Sequence, residues 1–257
     1  MNLYPVYIPS KGRAGKVRTV PLLQEAGVSF YIVVEPQDYT DYADAYPDVS
    51  VIQMPINNGG ISYVRRFCKD HSIEAGDKRH WQLDDDIRKF YTYESGKKVV
   101  GDAGVILQYC ESFVDRYSNI AIAGLMDSTF GFKLTEPFKR NKQCAVCVLV
   151  LNQTEFTWRV HTTGEDTDYS LQALSLGWCT ILFQMFQYLN PTPGTTQGGL
   201  FERYSYDQCM ARIRELQSLW GTQVVKIENR YGTPRPDLRH IWRKFDTPLV
   251  KVADVDS

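Results

Sequence analysis

The stretch His80-Trp81-Gln82-Leu83-Asp84-Asp85-Asp86-Ile87-Arg88-Lys89-Phe90 decides how the rest of the chain is read. Apolar and aromatic residues lead into three consecutive carboxylates, and Ile87 and Phe90 resume the apolar pattern behind them. The pattern predicts a strand that leaves a core and ends in an acidic tip. Side chains alternate along a strand, which puts Asp84 and Asp86 on one face and Asp85 on the other. Two carboxylates on one face repel each other without a cation, and paired hard oxygen ligands suit Mg2+ or Mn2+. Such a cation keeps positions open for substrate phosphates, so the pair points to the handling of a nucleoside diphosphate. An acidic strand end is also an ordinary solvated turn, since Asp forms turns in its own right. The elements around the stretch bear on that choice.

Upstream, Val6-Tyr7-Ile8 reads as a short strand followed by the polar loop Pro9-Ser10-Lys11-Gly12-Arg13. Val17, Val20, Leu23 and Ala26 recur at helical spacing. Phe30 to Val34 is a second apolar run, closed by Glu35-Pro36, and Val49 to Met54 a third, closed by Pro55. Tyr39, Tyr42 and Ala43 mark a short helix between them. Asn57-Asn58-Gly59-Gly60 opens another helix carrying Ile61, Val64, Arg65 and Cys68. Strand and helix thus alternate up to Asp84, which predicts a parallel sheet covered on both faces. In such sheets ligands bind beyond the carboxyl ends of the strands. Four loops converge there: Pro9 to Arg13, Glu35, Asn57 to Gly60, and Asp84 to Asp86. No G-x-G-x-x-G or G-x-x-x-x-G-K-[ST] occurs at any strand-to-helix turn, which argues against a dinucleotide dehydrogenase or a P-loop ATPase.

Hydrophobic residues make up 43% of the 257 and charged residues 23%, an ordinary balance for one soluble α/β domain. A net charge of -1 excludes a globally basic nucleic-acid binder and leaves room for a local basic groove. Cys144 and Cys147 form a lone C-x-x-C in an apolar run, where buried thiols are the better reading than zinc. The opening Met1-Asn2-Leu3-Tyr4-Pro5 reads as the approach to a strand rather than a signal peptide, and no apolar run is long enough for a bilayer. The expectation is a cytoplasmic protein with reduced cysteines.

Downstream, Val105, Ile106, Tyr109, Cys110, Phe113, Val114 and Tyr117 predict an amphipathic helix, and Ile120 to Leu125 a buried strand. Met126 to Lys142 reads as a long loop, Ala145 to Leu151 as a strand. A second acidic stretch, His161-Thr162-Thr163-Gly164-Glu165-Asp166-Thr167-Asp168, precedes Leu171 and Leu174. Glu165 and Asp166 at a helix start are ordinary dipole chemistry, or else a general base brought to the first acidic tip. Cys179 to Leu189 reads as a strand, Asn190 to Gly199 as a breaker-rich lid or linker, and Tyr206 to Trp220 as a helix. Val224 to Ile227 closes a domain placed at residues 1–229. The tail, residues 230–257, sets Arg230, Arg235, Arg239, His240, Arg243 and Lys244 among Tyr231, Trp242 and Phe245. That mixture suits a phosphate backbone with unstacked bases, or an arm packing its aromatics on or near the active site.

Ile8-Pro9-Ser10-Lys11-Gly12-Arg13, Val34-Glu35-Pro36-Gln37, Gly60-Ile61 with Arg65, and Gln82-Leu83-Asp84-Asp85-Asp86-Ile87 together resemble the TET-associated glycosyltransferases of phages. The Asp84-x-Asp86 pair followed by Glu165-Asp166 resembles the glycosyltransferase-A fold more broadly. The resemblance implies a single-domain, metal-dependent enzyme with a mostly parallel central sheet flanked by helices. It implies transfer of a sugar from a nucleoside-diphosphate sugar, a UDP sugar, to the hydroxyl of 5-hydroxymethylcytosine in DNA; the alternative is a glycan or another non-DNA acceptor. Asp84 and Asp86 would hold Mn2+ or Mg2+ beside the pyrophosphate, with His240 as a further ligand. Pro9, Ser10, Arg13 and Glu35 would lie against the nucleoside, and Arg65 would approach the nucleotide. Asp166 would be the base that deprotonates the acceptor, with Glu165 in reserve.

Overall fold

In a computed structural model, which describes residues 3–130, 134–161, 163–191, 205–230 and 232–252, period-two alternation feeds apolar side chains to both faces of one large sheet. In β1 (Val6–Pro9) Val6 and Ile8 point to one face and Tyr7 to the other. In β2 (Tyr31–Val34) Ile32 and Val34 join the first face and Val33 the second. The first face is covered by α1 (Thr19–Glu25) and α4 (Ala103–Val114), which bury Val20, Leu23, Ile106, Leu107 and Cys110. The second is covered by α3 (Ile61–Glu74), which buries Val64 and Cys68, and by α5 (Glu165–Ser175).

The first three strands and β4 (Arg79–Leu83) form the parallel half expected from the sequence: β3 (Ser50–Gln53), β2, β1 and β4 lie side by side in that order. Between β2 and β3 the chain also makes the short α2 (Tyr39–Ala45). Beyond β4 the sheet is mixed. β9 (Cys147–Leu151) runs antiparallel between β4 and β7 (Ile120–Asp127), and β10 (Cys179–Leu189) runs parallel to β7. A hairpin without clear apolar periodicity, β5 (Lys89–Glu94) with β6 (Lys97–Val100), follows the acidic tip, and β5 pairs antiparallel with β10. The supposed loop from Met126 to Lys142 is partly strand: β7 continues to Asp127, and β8 (Phe138–Arg140) pairs with β10. The result is the expected α/β domain with a central sheet and flanking helices.

Close approach explains one residue of β7. A Cβ on Gly124 would lie 2.9 Å from Cβ of Cys144 and 3.2 Å from the Cys147 carbonyl oxygen, so β7 admits no side chain there. All six cysteines are buried free thiols, as the spacing of Cys144 and Cys147 led us to expect. The region from residue 205 on adds α6 (Tyr206–Trp220) and a separate hairpin of β11 (Lys226–Arg230) and β12 (Thr233–Asp237), which joins both sides of residue 230. The short α7 (Arg239–Trp242) packs Ile241 against Val160, Leu171 and Ile213. Residues 248–252 run along Arg116 to Asn119, at the amino end of β7 and so on the far edge from the acidic tip. Most of the breaker-rich loop, residues 192–199, lies outside the described residues, as do Tyr231 and Thr162. No helix among the described residues is long and apolar enough to cross a membrane.

Candidate active site

Strand order reverses between β1 and β4, and the carboxyl ends of these neighbours open the crevice where α/β sheets take ligands. The strand stops at Leu83, one residue short of the acids, so Asp84, Asp85 and Asp86 form a turn rather than a strand tip. Its backbone is held from three sides. Asp84 N–H donates to the Val146 carbonyl at 2.9 Å, and Arg18 N–H donates to the Asp85 carbonyl at 2.9 Å. Buried Thr19 donates its hydroxyl to the Asp84 carbonyl at 2.6 Å and accepts from Ile87 N–H at 3.1 Å.

The turn separates the three acids by burial and by partner, with Asp85 buried, Asp85 and Asp86 both near Arg13, and Asp84 on Arg65. Asp85 is buried and faces the first loop, where it accepts from Ser10 Oγ at 2.5 Å and pairs with the Arg13 guanidinium. Ser10 Oγ also meets the Tyr42 hydroxyl at 2.7 Å, which in turn accepts from Arg13 N–H at 2.8 Å. Burial pushes the Tyr42 hydroxyl up to about 12, so it stays protonated in this role. Asp84 and Asp86 keep 35% and 22% of their side chains exposed. Asp86 accepts from Asn190 Nδ2 at 3.1 Å and sits 3.4 Å from Arg13.

The neighbouring loops are stitched together as their convergence requires. Pro9 ends β1. Lys11 Nζ bridges Glu35 at 2.7 Å and Asn58 Oδ1 at 2.8 Å. Buried Glu35 also accepts from Gln37 Nε2 at 2.8 Å, and Gln37 N–H donates to Asn57 Oδ1 at 3.0 Å. Ser10, Arg13 and Glu35 therefore line one side of the crevice, with the ends of β1, β2 and β3 fixed against each other.

On the other side α3 carries Arg65, whose side chain is only 2% exposed. Its Nη2 lies 3.2 Å from Asp84 Oδ1 and 3.7 Å from Asp166 Oδ1, its Nε lies 3.4 Å from Glu165 Oε1, and its Nη1 donates to Gln82 Oε1 at 3.2 Å. One guanidinium thus gathers both acidic stretches, which lie far apart in the sequence. Glu165 is buried and also accepts from Gly164 N–H at 3.0 Å, so it is occupied on both oxygens. Asp166 keeps 18% of its side chain exposed. Burial first, then Glu165 and Asp84, push the Asp166 carboxyl above the usual range, while Arg65 pulls it down. Burial and the neighbouring acids likewise raise Asp84, to about 7, against the pull of Arg65.

The same helix face holds the segment that delivers α5. Ser62 donates to the Val160 carbonyl, Arg66 Nη1 to the Trp158 carbonyl at 2.6 Å, and Lys69 Nζ to Thr154 Oγ1 at 2.8 Å and the Phe156 carbonyl at 3.1 Å. Positions 62, 65, 66 and 69 share one face of a helix. Fully buried Asp168 anchors the other end, accepting from Arg159, from Trp220 Nε1 at 2.8 Å and from Gln172 Nε2 at 2.8 Å. Sequence reading found Arg65 but not its companions. The i, i+3, i+4, i+7 run of Ser, Arg, Arg and Lys facing a buried side was the available signal.

Oxygen donors of this kind fit a hard divalent cation. Asp84, Asp85, Asp86, Glu165 and Asp166 face two guanidiniums, Arg13 and Arg65, and the two most exposed acids of the turn are Asp84 and Asp86. Among the described residues no three His, Cys, Asp or Glu side chains converge closely enough to hold a metal by themselves. His240 is half-buried on α7, with Nε2 3.0 Å from the Gln223 carbonyl.

The chain is similar to several solved structures at low identity. A197 from STIV matches with a TM-score of 0.44 and 10% identity over 74% of this chain and 86% of that one. A putative nucleotide-diphospho-sugar transferase from Desulfovibrio desulfuricans gives 0.42 and 10% over 71% and 80%. A mannose-1-phosphate geranyltransferase from Thermus thermophilus gives 0.38 and 12% over 96% and 69%. No curated protein sequence matches. The family model of the TET-associated glycosyltransferases matches residues 4–199, a span that takes in β1 to β10 and both acidic stretches, and the chain belongs to that family.

Proposed function

We propose that this glycosyltransferase moves a sugar from a nucleoside-diphosphate sugar, a UDP sugar, to the hydroxyl of 5-hydroxymethylcytosine in DNA. The observation that carries the reading is the convergence of Asp84, Glu165 and Asp166 on one buried guanidinium at the mouth of the parallel strands. Ser10, Arg13 and Glu35 form the nucleoside side of the crevice, where Asp85 fixes Ser10 and Arg13 in place. Asp84 and Asp86 would hold Mn2+ or Mg2+, which when bound neutralises the charge that builds on the departing diphosphate. Asp166 stands across Arg65 from Asp84 and takes the proton of the acceptor hydroxyl, with inversion at the sugar carbon. Its raised pKa suits that task, because a base works best when its proton affinity is close to the working pH. Glu165 holds Arg65 and stays out of the chemistry. His240 stays the candidate further ligand, through Nδ1, because its Nε2 is taken by the Gln223 carbonyl.

The test is incubation with hydroxymethylated and unmodified DNA, a panel of nucleotide sugars and Mn2+, followed by mass analysis of the released nucleosides. A hexose-sized increment on hydroxymethylcytosine supports the reading. Transfer to a glycan acceptor but not to DNA would move the protein to the alternative acceptor class.

A further inference from the structure

Beneath the acidic site runs a line of buried polar side chains that touches no substrate position. Gln82 and His80 lie on the face of β4 that turns to α3, opposite Trp81 and Leu83, and both are fully buried. Gln82 Oε1 accepts from Arg65 Nη1 at 3.2 Å, and Gln82 Nε2 donates to the Arg65 carbonyl at 3.0 Å and lies 2.7 Å from His80 Nε2. An amide nitrogen only donates, so His80 Nε2 accepts and the imidazole proton sits on Nδ1. That Nδ1 donates to Asn152 Oδ1 at 2.5 Å, and Asn152 Nδ2 donates to Ser72 Oγ at 2.8 Å and to the Asp77 carbonyl at 2.7 Å. Burial keeps the ring neutral, pushing His80 down to about 3.

Each bond in this line fixes the direction of the next. The Asp77 carbonyl can only accept, which orients Asn152, which sets the His80 tautomer, which turns the Gln82 oxygen toward Arg65. Reversing any member would bring N–H groups face to face at the guanidinium, a buried mismatch that the line excludes. We propose that Gln82 and His80 are positioning residues for sugar transfer, holding the Arg65 guanidinium where it sets the spacing of Asp84 and Asp166. The inference rests on the acidic cluster being the reaction centre.

The experiment compares His80→Leu, Gln82→Leu and His80→Gln in the full chain, with circular dichroism as a check on folding. A glutamine at 80 keeps one donor and one acceptor, so it can carry the same directional line. The expected result is a kcat lowered about tenfold or more in both leucine variants, with donor KM changed less than about threefold and most of the rate restored in His80→Gln. The acid limb of the pH–rate profile should move up in the leucine variants, since Arg65 no longer favours ionised Asp166. In parallel, 15N NMR reads solvent exchange at Arg65 Nε–H, slow in the wild type and His80→Gln and fast in His80→Leu. Unchanged kcat and unchanged Arg65 exchange in a folded His80→Leu protein would overturn the proposal, as would a His80→Gln variant as impaired as His80→Leu. A wild-type protein inactive on every acceptor would refute the functional reading alone, and the exchange measurement would still decide the relay.

Discussion

Replacing Arg65 by methionine removes one cation and leaves three carboxylates around an apolar side chain of similar length. Arg65 is fully buried and meets Asp84, Glu165 and Asp166 within 3.2 to 3.7 Å. Breaking a buried pair by deleting one partner costs about 3–5 kcal/mol. Asp84 and Asp166 keep partial contact with water, which places the expected loss at the lower end, about 3 kcal/mol near pH 8. For a chain of this length that is a drop in Tm of roughly 6 °C. The pH dependence gives the effect its sign. Without Arg65 the folded pKa values of Asp84 and Asp166 rise further above their unfolded values. Acids shifted upward favour the folded state when protonated, so the penalty is present at high pH and fades as pH falls through the folded pKa toward the unfolded one. Urea unfolding at about pH 8 and about pH 6 should therefore show a deficit that shrinks with acidification. Arg65→Lys keeps the charge but one ammonium cannot serve Nε, Nη1 and Nη2 contacts together, so it should fall between. A methionine variant within about 1 kcal/mol of wild type at both pH values would refute the view that Arg65 holds the two acidic stretches together.

Asp166→Asn should leave donor binding within about threefold while lowering transfer at least about a hundredfold, read by calorimetry and by turnover; a fully active variant would move the base elsewhere. Asp86→Ala should abolish the gain in nucleotide affinity on adding Mn2+, and an unchanged gain would sink the metal assignment. His80 makes the fold acid-sensitive. Its folded pKa lies near 3, below the ordinary 6.5, so its contribution is whole above pH 6.5 and is lost as pH falls toward the folded value. Denaturant titrations should show about 2 kcal/mol lost between pH 6.5 and about pH 5 from this group, a slope that His80→Gln flattens. On the tail, Arg239 is bound by Asp237 at 2.9 Å and Glu228 at 3.0 Å, whereas Arg243 is exposed. Arg243→Glu should weaken DNA binding and flatten its salt dependence more than Arg239→Ala does, and equal effects would argue against the tail as a phosphate contact.

The parallel half of the sheet was legible because its strands feed apolar side chains to both faces and end at a breaker, Pro9, Pro36 or Pro55. The mixed half was less so. Nothing in the pattern of Cys147 to Leu151 tells an antiparallel insertion from a parallel neighbour, since both are buried on two sides. The hairpin after Asp86 went unread because Lys89 to Val100 is exposed on one or both faces and charged, and so shows little apolar periodicity. At the site, residue types named the acids and the arginines, and local spacing named none of their partners. Asp85 illustrates the difference. Alternation assigned it to the opposite face from Asp84 and Asp86, yet it is joined to Ser10 and to Arg13, a guanidinium that also reaches Asp86, while Asp84 pairs with Arg65.

What a single chain cannot display is why Glu165-Asp166 should matter to Asp84, because the link is a helix lying between them in space. α3 is polar on the face that a surface helix would bury. Ser62, Arg66 and Lys69 donate to backbone carbonyls of a segment without regular structure, and Arg65, between them, reaches the acids. Buried donors of this kind destabilise a helix face unless each finds an acceptor, so their presence requires an irregular segment packed against them. That segment, residues 154–160, precedes α5 by four residues and is the held stretch nearest before Asp166. The fold thus commits these buried polar groups to one task, fixing the distance between the Asp84 and Asp166 carboxylates. Lengthening residues 154–160 by one residue should disturb transfer more than donor binding, because it displaces Asp166 while leaving Asp84, Asp86 and the Ser10 loop in place; equal losses in both would mean that α5 is part of the donor site itself.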